Sequence, residues 1–444
     1  MSGAGTVRPI ALASLVLANV VVAGACGPPR TLDPSETAPV RIGVIVPLRG
    51  ELGSDGQSWR DSVVLAVREV NAAGGVLPGR RVELIVEDGE STVAGGVAAA
   101  ERLIDAGVVA IIGDVASSAT LAILDGPLAT TDPPILLVSA MSSSPLLTER
   151  NAEHVSDDEA VPPDWWFLRT VPPDDGQYVA LGNAMYDHGD AGCRRVAILY
   201  LDNDYGRPFR DGIAAQYLMR ANATGEGTLV PSADGIPFGE DVTNYDAQVS
   251  ALAAANPDCV ALIAYPQSAG YIVNAWSLLS TRPVVQWFGT DGIRQQGFAD
   301  EVGDPSLIDG FLGTAPITEL STSAYVSYRE LYQAHFGGVP AAFGSNLYDA
   351  TALVMLAIAK AGSTEDREAI RDAILELNEP AGSTVVQAGE LAEGLRAIRM
   401  GAPINYDGAS GSVDIDRFGN PPGVFELWRF DAATESFVSQ GTVQ

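Results

Sequence analysis

The chain has 444 residues and 47% of them are hydrophobic, enough for two domains with full cores. Charged residues make up only 18%, too few for a disordered or coiled-coil chain. With 26 basic and 56 acidic residues the formal net charge is −30, which repels phosphate backbones and anionic membrane surfaces and excludes nucleic acid as a partner.

In chain order, Arg8 precedes a mostly apolar run, Ile10 to Val22, that ends in the small residues Ala23, Gly24 and Ala25. The run falls short of the roughly 20 apolar residues that span a bilayer, so residues 1–25 read as a secretory signal peptide. Cys26 follows directly, and residues 27–39 (GPPRTLDPSETAP) read as an extended tether. From Val40 short apolar runs alternate with amphipathic stretches. Strands are expected at Arg41 to Val46, Val82 to Val86, Val108 to Ile112 and Ile135 to Val138, separated by helices near Gln57 to Ala73, Ala94 to Ala106 and Ser118 to Leu128. Strand runs without polar alternation imply a parallel sheet covered on both faces, a doubly wound α/β domain.

Glu149 to Trp166, acidic and carrying two tryptophans, reads as a surface insertion. The pattern then restarts, with strands expected at Arg195 to Tyr200, Thr228 to Val230, Val260 to Ala264 and Val284 to Phe288. Helices near Ala324 to Phe336, Ser345 to Ala361 and Asp366 to Leu377 follow, and then a strand-like tail, Gly411 to Phe430. That third holds too little strand for a sheet of its own, so it must complete the earlier lobes. The expected fold is therefore two doubly wound parallel-sheet lobes joined by about three hinge crossovers, near Leu168, Pro316 and Pro403. The expected spans are 40–168 and 317–403 for lobe one, and 169–316 and 404–444 for lobe two.

Six stretches in order carry a resemblance. They are RIGVIVPLRGELGSDG (Arg41 to Gly56), REVNAAGGVLPGRRVELIVED (Arg68 to Asp88), IIGDVASSAT (Ile111 to Thr120), FLRTVPPDDGQ (Phe167 to Gln177), VAILYLDNDYG (Val196 to Gly206) and YDGASGSVDIDRFGN (Tyr406 to Asn420). Together they resemble the type I periplasmic binding proteins, particularly the branched-chain amino acid and amide binders of ABC transporters, over about Val40 to Phe430. The first 26 residues likewise resemble a bacterial lipoprotein signal, which implies an acylated Cys26 at the head of a lipid-anchored tether, residues 26–39. Ala23-Gly24-Ala25 also fits ordinary signal cleavage.

The resemblance implies a ligand set. Ser117 would hold a ligand carboxylate at a helix N-terminus, where unpaired N–H groups and the helix dipole assist; an ordinary N-cap is the competing role. Ser143 would offer a hydroxyl and Met141 a backbone carbonyl. Tyr205 would close over the ligand from lobe two, and Asp291 would pair with an α-ammonium group. Leu52 stands where relatives often carry an aromatic, and the second-lobe position near Gln267 and Ser268 lacks a tyrosine. Both departures imply a less aromatic site.

These readings imply an exported, monomeric solute-binding lipoprotein that captures a small polar ligand, first of all an α-amino acid, for ABC permease subunits. A ligand sensor or regulator of envelope enzymes on the same fold is the alternative. No cofactor, metal or enzymatic activity is expected. Gly50, Gly53 and Gly56 do not make the dinucleotide fingerprint, and His154, His188 and His335 have no ligand spacing. Cys193 and Cys259 precede two strands that the doubly wound order makes neighbours, so they are expected to form a disulfide in an oxidising compartment.

Overall fold

A computed structural model describes residues 1–3, 5, 38–158, 163–189, 192–240, 242–378 and 382–443. The chain divides into two compact units, Met1–Thr37 and Ala38–Gln444, and the second holds every element below. Cys26 and the segment before it that reads as a signal, from Thr6 on, lie outside the described residues.

Lobe one is built on strands β1 (Val40–Val46), β2 (Val82–Asp88), β3 (Ala110–Ile112), β4 (Leu136–Ser139) and β5 (Phe167–Arg169), in the order β2-β1-β3-β4-β5 and parallel throughout. The period-two alternation divides its side chains between two cores. Ile42, Val44, Val46, Ile112 and Val138 join one cluster, while Ile45, Ile111, Leu137 and Phe167 join another on the opposite face. Helix α1 (Gly56–Ala72) covers the first face, and α2 (Val93–Asp105) and α3 (Ser117–Asp125) cover the second. Helix α4 (Pro145–Ala152) leads toward β5.

Lobe two contains α5 (Asp175–Tyr186), β6 (Arg195–Leu201), α6 (Gly206–Thr224), β7 (Thr228–Leu229), β8 (Ile236–Phe238), α7 (Asp246–Ala255), β9 (Cys259–Ile263), α8 (Pro266–Leu278), β10 (Gln286–Gly289), α9 (Gln296–Val302) and β11 (Leu312–Pro316). The strands from β6 to β11 pair in parallel. Val196 stands opposite Cys259, and Cys193 and Cys259 form the expected disulfide with Cα atoms 5.7 Å apart.

Helices α10 (Ser323–Phe336), α11 (Gly344–Ala361), α12 (Arg367–Leu375) and α13 (Leu391–Arg399) return to lobe one, as do strands β12 (Thr384–Val386) and β13 (Ile404–Tyr406). Helix α11 is buried from Gly344 to Ile358, because apolar residues surround it on every side. Against it, the Trp59 Nε1–H of α1 donates to the Ala342 carbonyl at 2.8 Å.

Four expectations need correction. The third crossover lies beyond Pro403. β13 still pairs with β12, the Tyr406 hydroxyl donates to Asp349 of α11 at 2.7 Å, and Asn151 of α4 donates to the Phe418 carbonyl at 2.8 Å. Lobe one therefore holds the chain to about Asn420, and the Ile317 N–H meets the Val424 carbonyl where the second and third crossovers run together. The strand-like tail begins late: β14 (Phe425–Asp431) and β15 (Ser436–Val443) form an antiparallel hairpin on the edge of lobe two beside β11. Glu149 to Trp166 is not wholly superficial, since Trp165 is fully buried and donates to the Arg417 carbonyl at 2.8 Å, and Trp166 lies under the Arg371 guanidinium. Val284 is exposed and outside any strand; β10 begins at Gln286.

Candidate functional site

In each lobe the loops leaving the carboxyl ends of parallel strands face the other lobe, where open α/β sheets place ligands. On lobe one a buried hub organises two of these loops. The Asp114 backbone carbonyl, just past β3, accepts from the hydroxyls of Ser139 (2.6 Å), Ser142 (3.1 Å) and Thr120 (3.2 Å). Its carboxylate accepts from the Val115 and Ala116 N–H groups. The loop after β3 is thereby locked to the loop after β4. Ser117 is the first residue of α3, with Ala116 at the cap position, and its hydroxyl accepts from the Ser144 N–H at 3.3 Å.

On lobe two the loop after β6 presents Tyr205, stacked on Tyr265 with ring centres 5.5 Å apart. The Tyr205 hydroxyl donates to Asp291 Oδ1 at 2.9 Å and lies 2.8 Å from the Thr290 hydroxyl. Gln177 of α5 donates to the same carboxylate oxygen at 3.1 Å and to the Thr314 carbonyl of β11 at 2.9 Å. Burial pushes the Asp291 carboxyl above its ordinary range, while the Tyr205 and Gln177 bonds pull it back. Burial, followed by the charge of Asp291, raises Tyr205 well above the usual phenol range.

The lobes touch. The Ser144 hydroxyl donates to the Asp204 carbonyl at 2.7 Å, the Asp204 N–H donates to the Ser118 hydroxyl at 3.1 Å, and the Ser268 hydroxyl donates to Glu51 at 3.0 Å. Between these bridges lies a cavity of only about 20 Å³. Leu52, Ser117, Met141, Tyr205 and Asp291, all named from the sequence, line it together. Ser143 is buried and faces Asp174, Gln267 is half-buried, and neither lines the cavity.

The cavity is also lined by Val115, Tyr265, Gln295 and Phe343, which sequence reasoning missed. Tyr265 corrects the expectation of a less aromatic second-lobe wall; it lies two residues past the end of β9, and the strand-end rule could have found it. Phe343 stands at the start of α11 with φ +62°, a left-handed backbone conformation that nothing in the sequence signals for a phenylalanine. Cys193, Cys259 and Asp258 lie close together at the far, amino ends of β6 and β9, but the disulfide consumes both thiols.

Residues 39–389 match the model of a periplasmic binding protein family. The substrate-binding protein BasB of a chemotactic signal transduction system in Halobacterium salinarum is 26% identical over 85% of this chain and 83% of its own. The Leu/Ile/Val-binding protein BraC3 of Rhizobium johnstonii is 26% identical over 77% of this chain and 84% of its own. Among solved structures, the leucine-binding protein LivK of Thermotoga maritima superposes with a TM-score of 0.70 at 23% identity, over 91% of this chain and 99% of that one. With two parallel-sheet lobes meeting at a shared cavity and a family match over most of its length, the chain belongs to the periplasmic binding proteins, a family of solute binders and not of enzymes.

Proposed function

We propose that this protein captures a small zwitterion, an α-amino acid or a close relative, between its lobes and delivers it to the permease of an ABC importer. One observation carries the reading: two chemically opposite half-sites share one cavity. Ser117 and the unpaired N–H groups at the start of α3 suit a carboxylate. Asp291, oriented by Tyr205 and Gln177, suits an ammonium. The Leu/Ile/Val-binding relatives agree with that chemistry. Ser143 and Met141 add a hydroxyl and a carbonyl from the loop after β4. Neither lobe alone offers both charges, so a zwitterion gains contacts only on closure, and that difference in affinity drives the lobes together. A cavity of about 20 Å³ admits nothing of this size until the lobes part.

A thermal-shift screen of the twenty L-amino acids, followed by small-angle scattering of the best binder, tests this. A ligand that binds the folded state alone raises the apparent stability, and the scattering radius should fall on binding. A panel without a single shift, or binding at constant radius, would sink the reading. Export with acylation at Cys26 belongs to the same proposal, and mass spectrometry of membrane-extracted protein should find a diacyl or triacyl adduct there. Ligand sensing is a second reading, favoured by the chemotactic relative. Uptake of labelled ligand that is lost on deleting this protein separates transport from sensing.

A further inference from the structure

We propose that the ligand's side chain runs past Gln295 and Phe343 into a larger chamber beside the zwitterion cavity and ends there on Asp55, so that the protein selects amino acids with a cationic side chain. This rests on the amino-acid reading above and narrows the ligand class within it. Similarity to the Leu/Ile/Val-binding relatives points the other way, toward an apolar side chain.

Space is the first argument. The cavity between the half-sites holds about 20 Å³, whereas the adjoining chamber holds about 540 Å³. Gln295 and Phe343 line both. Three segments of chain run from one to the other. The loop before α1 puts Leu52 on the cavity and Asp55 on the chamber. The neighbours of Gln295 and of Phe343, among them Arg294 and Ala342, continue both walls into the chamber. A ligand anchored at Ser117 and Asp291 therefore has room for a side chain in that direction. Pro316, Leu320, Pro340 and Phe343 give the chamber apolar wall, which suits a methylene stem that ends in a charge.

Charge is the second argument. Asp55 stands at the cap position of α1, yet its side chain makes no capping bond, and among the described residues no other donor reaches its carboxyl. Arg294, on the lobe-two wall, is paired with Glu426, which is only 2% exposed, so that wall carries no spare positive charge. Burial, followed by the charge of Asp300, lifts the Asp55 carboxyl to about 6, which leaves it ionised at neutral pH. Asp55 belongs to lobe one and Asp300 to α9 of lobe two, so their repulsion opposes closure until a cation enters beside them. The net charge of −30 draws cations toward the protein from a distance.

The passage between cavity and chamber also holds an unmade bond. Gln295 is 2% exposed, and its side-chain N–H donates to the Gly292 carbonyl at 3.0 Å. Its Oε1 has no donor among the described residues, although buried polar groups are nearly always paired. A guanidinium or ammonium brings donors and no acceptor, the complement of Gln295 Oε1 and Asp55.

Calorimetric titration of the protein at neutral pH with L-arginine, L-lysine and L-ornithine, each against L-norleucine, tests this. L-Norleucine is L-lysine without its side-chain ammonium. The best of the cationic amino acids should bind roughly tenfold or more tightly than L-norleucine, the effect of one charge-assisted bond. Asp55→Asn keeps a good cap residue on α1 and should weaken that ligand to the level of L-norleucine. Should the variant fail to fold, the wild-type preference decides alone. L-Norleucine binding the wild type as tightly as the other three, or an Asp55→Asn variant that keeps the preference, overturns the proposal and leaves the amino-acid reading standing. If none of the four binds, the proposal falls, and the thermal screen decides whether the amino-acid reading falls with it.

Discussion

Lobe one lines the cleft with the apolar side chains of Leu52, Val115, Met141 and Phe343 and offers its polar contacts through Ser117 and a helix start, whereas lobe two meets the cleft with Tyr205, Tyr265 and the charged Asp291. The lobe-one face is the start of α3 and the loop after β4, locked together by the Asp114 carbonyl and its three hydroxyl donors. The lobe-two face is Tyr205 on Tyr265, with Asp291 held by Tyr205 and Gln177. A helix terminus keeps its N–H groups whatever side chains are substituted on it, whereas a carboxylate is lost with one substitution. The lobes also differ in reinforcement. Among the described residues the disulfide and the antiparallel hairpin β14–β15 both belong to lobe two. Similar α/β architecture thus supports one half-site that should tolerate substitution and one that should not.

The largest expected effect tests the reinforcement. Replacing Cys193 and Cys259 by serine frees a loop of 66 residues and should cost about 4 kcal/mol in the chain-entropy model. The loss falls on lobe two, so guanidinium unfolding followed by fluorescence of Trp276, Trp287 and Trp428 should show an earlier transition than the wild type. An unchanged midpoint would mean that the bond adds nothing to the lobe it crosses.

Next in size is a pH effect from the lobe-one hub. Burial raises the Asp114 carboxyl to about 6, against the pull of the Val115 and Ala116 N–H groups, and Asp88 raises it further. The unfolded carboxyl titrates near 3.8, so between about pH 4 and 6 the folded state holds a proton that the unfolded state has lost. Stability then falls as pH rises through that window, by about 3 kcal/mol, and levels off above it. Asp114→Asn should remove this slope, while Asp349, also raised to about 6, keeps its own share. Denaturant titrations at pH 4, 5, 6 and 7 measure it, and parallel curves for the two proteins would count against a protonated hub.

The parts legible in the sequence were those governed by local pattern. Uninterrupted apolar runs mark β1, β6 and β9, and the doubly wound order alone places Cys193 beside Cys259. The strand-end rule and the motif resemblance brought Leu52, Ser117, Met141, Tyr205 and Asp291 to one cavity. What escaped depends on contacts distant in the chain. Asp349 holds the segment around Ser410 on lobe one through two bonds of 2.7 and 2.6 Å, and that capture moves the third crossover past Pro403. Phe343 reaches the cleft only because the return of α11 carries it there.

The site itself gives the sharper test of the two lobes. Asp291→Ala removes a charge-assisted partner and should weaken an α-amino acid by about 1.5–3 kcal/mol, roughly ten- to 150-fold, in a calorimetric titration. A variant that binds as well as the wild type would move the ammonium elsewhere.

Ser117→Ala should do much less. It deletes one hydroxyl that, in the structure, accepts from the Ser144 N–H at 3.3 Å, yet it leaves the backbone N–H groups at the start of α3 in place. A single neutral hydrogen bond contributes about 0.5–1.5 kcal/mol, so affinity should fall roughly two- to twelvefold, with little change in thermal midpoint. Alanine also has high helix propensity, so α3 should persist and keep those donors in place. The informative quantity is the ratio of the two losses measured on one ligand. A Ser117→Ala loss as large as that of Asp291→Ala would mean that lobe one also binds through a side chain, and the contrast between a backbone half-site and a side-chain half-site would fail.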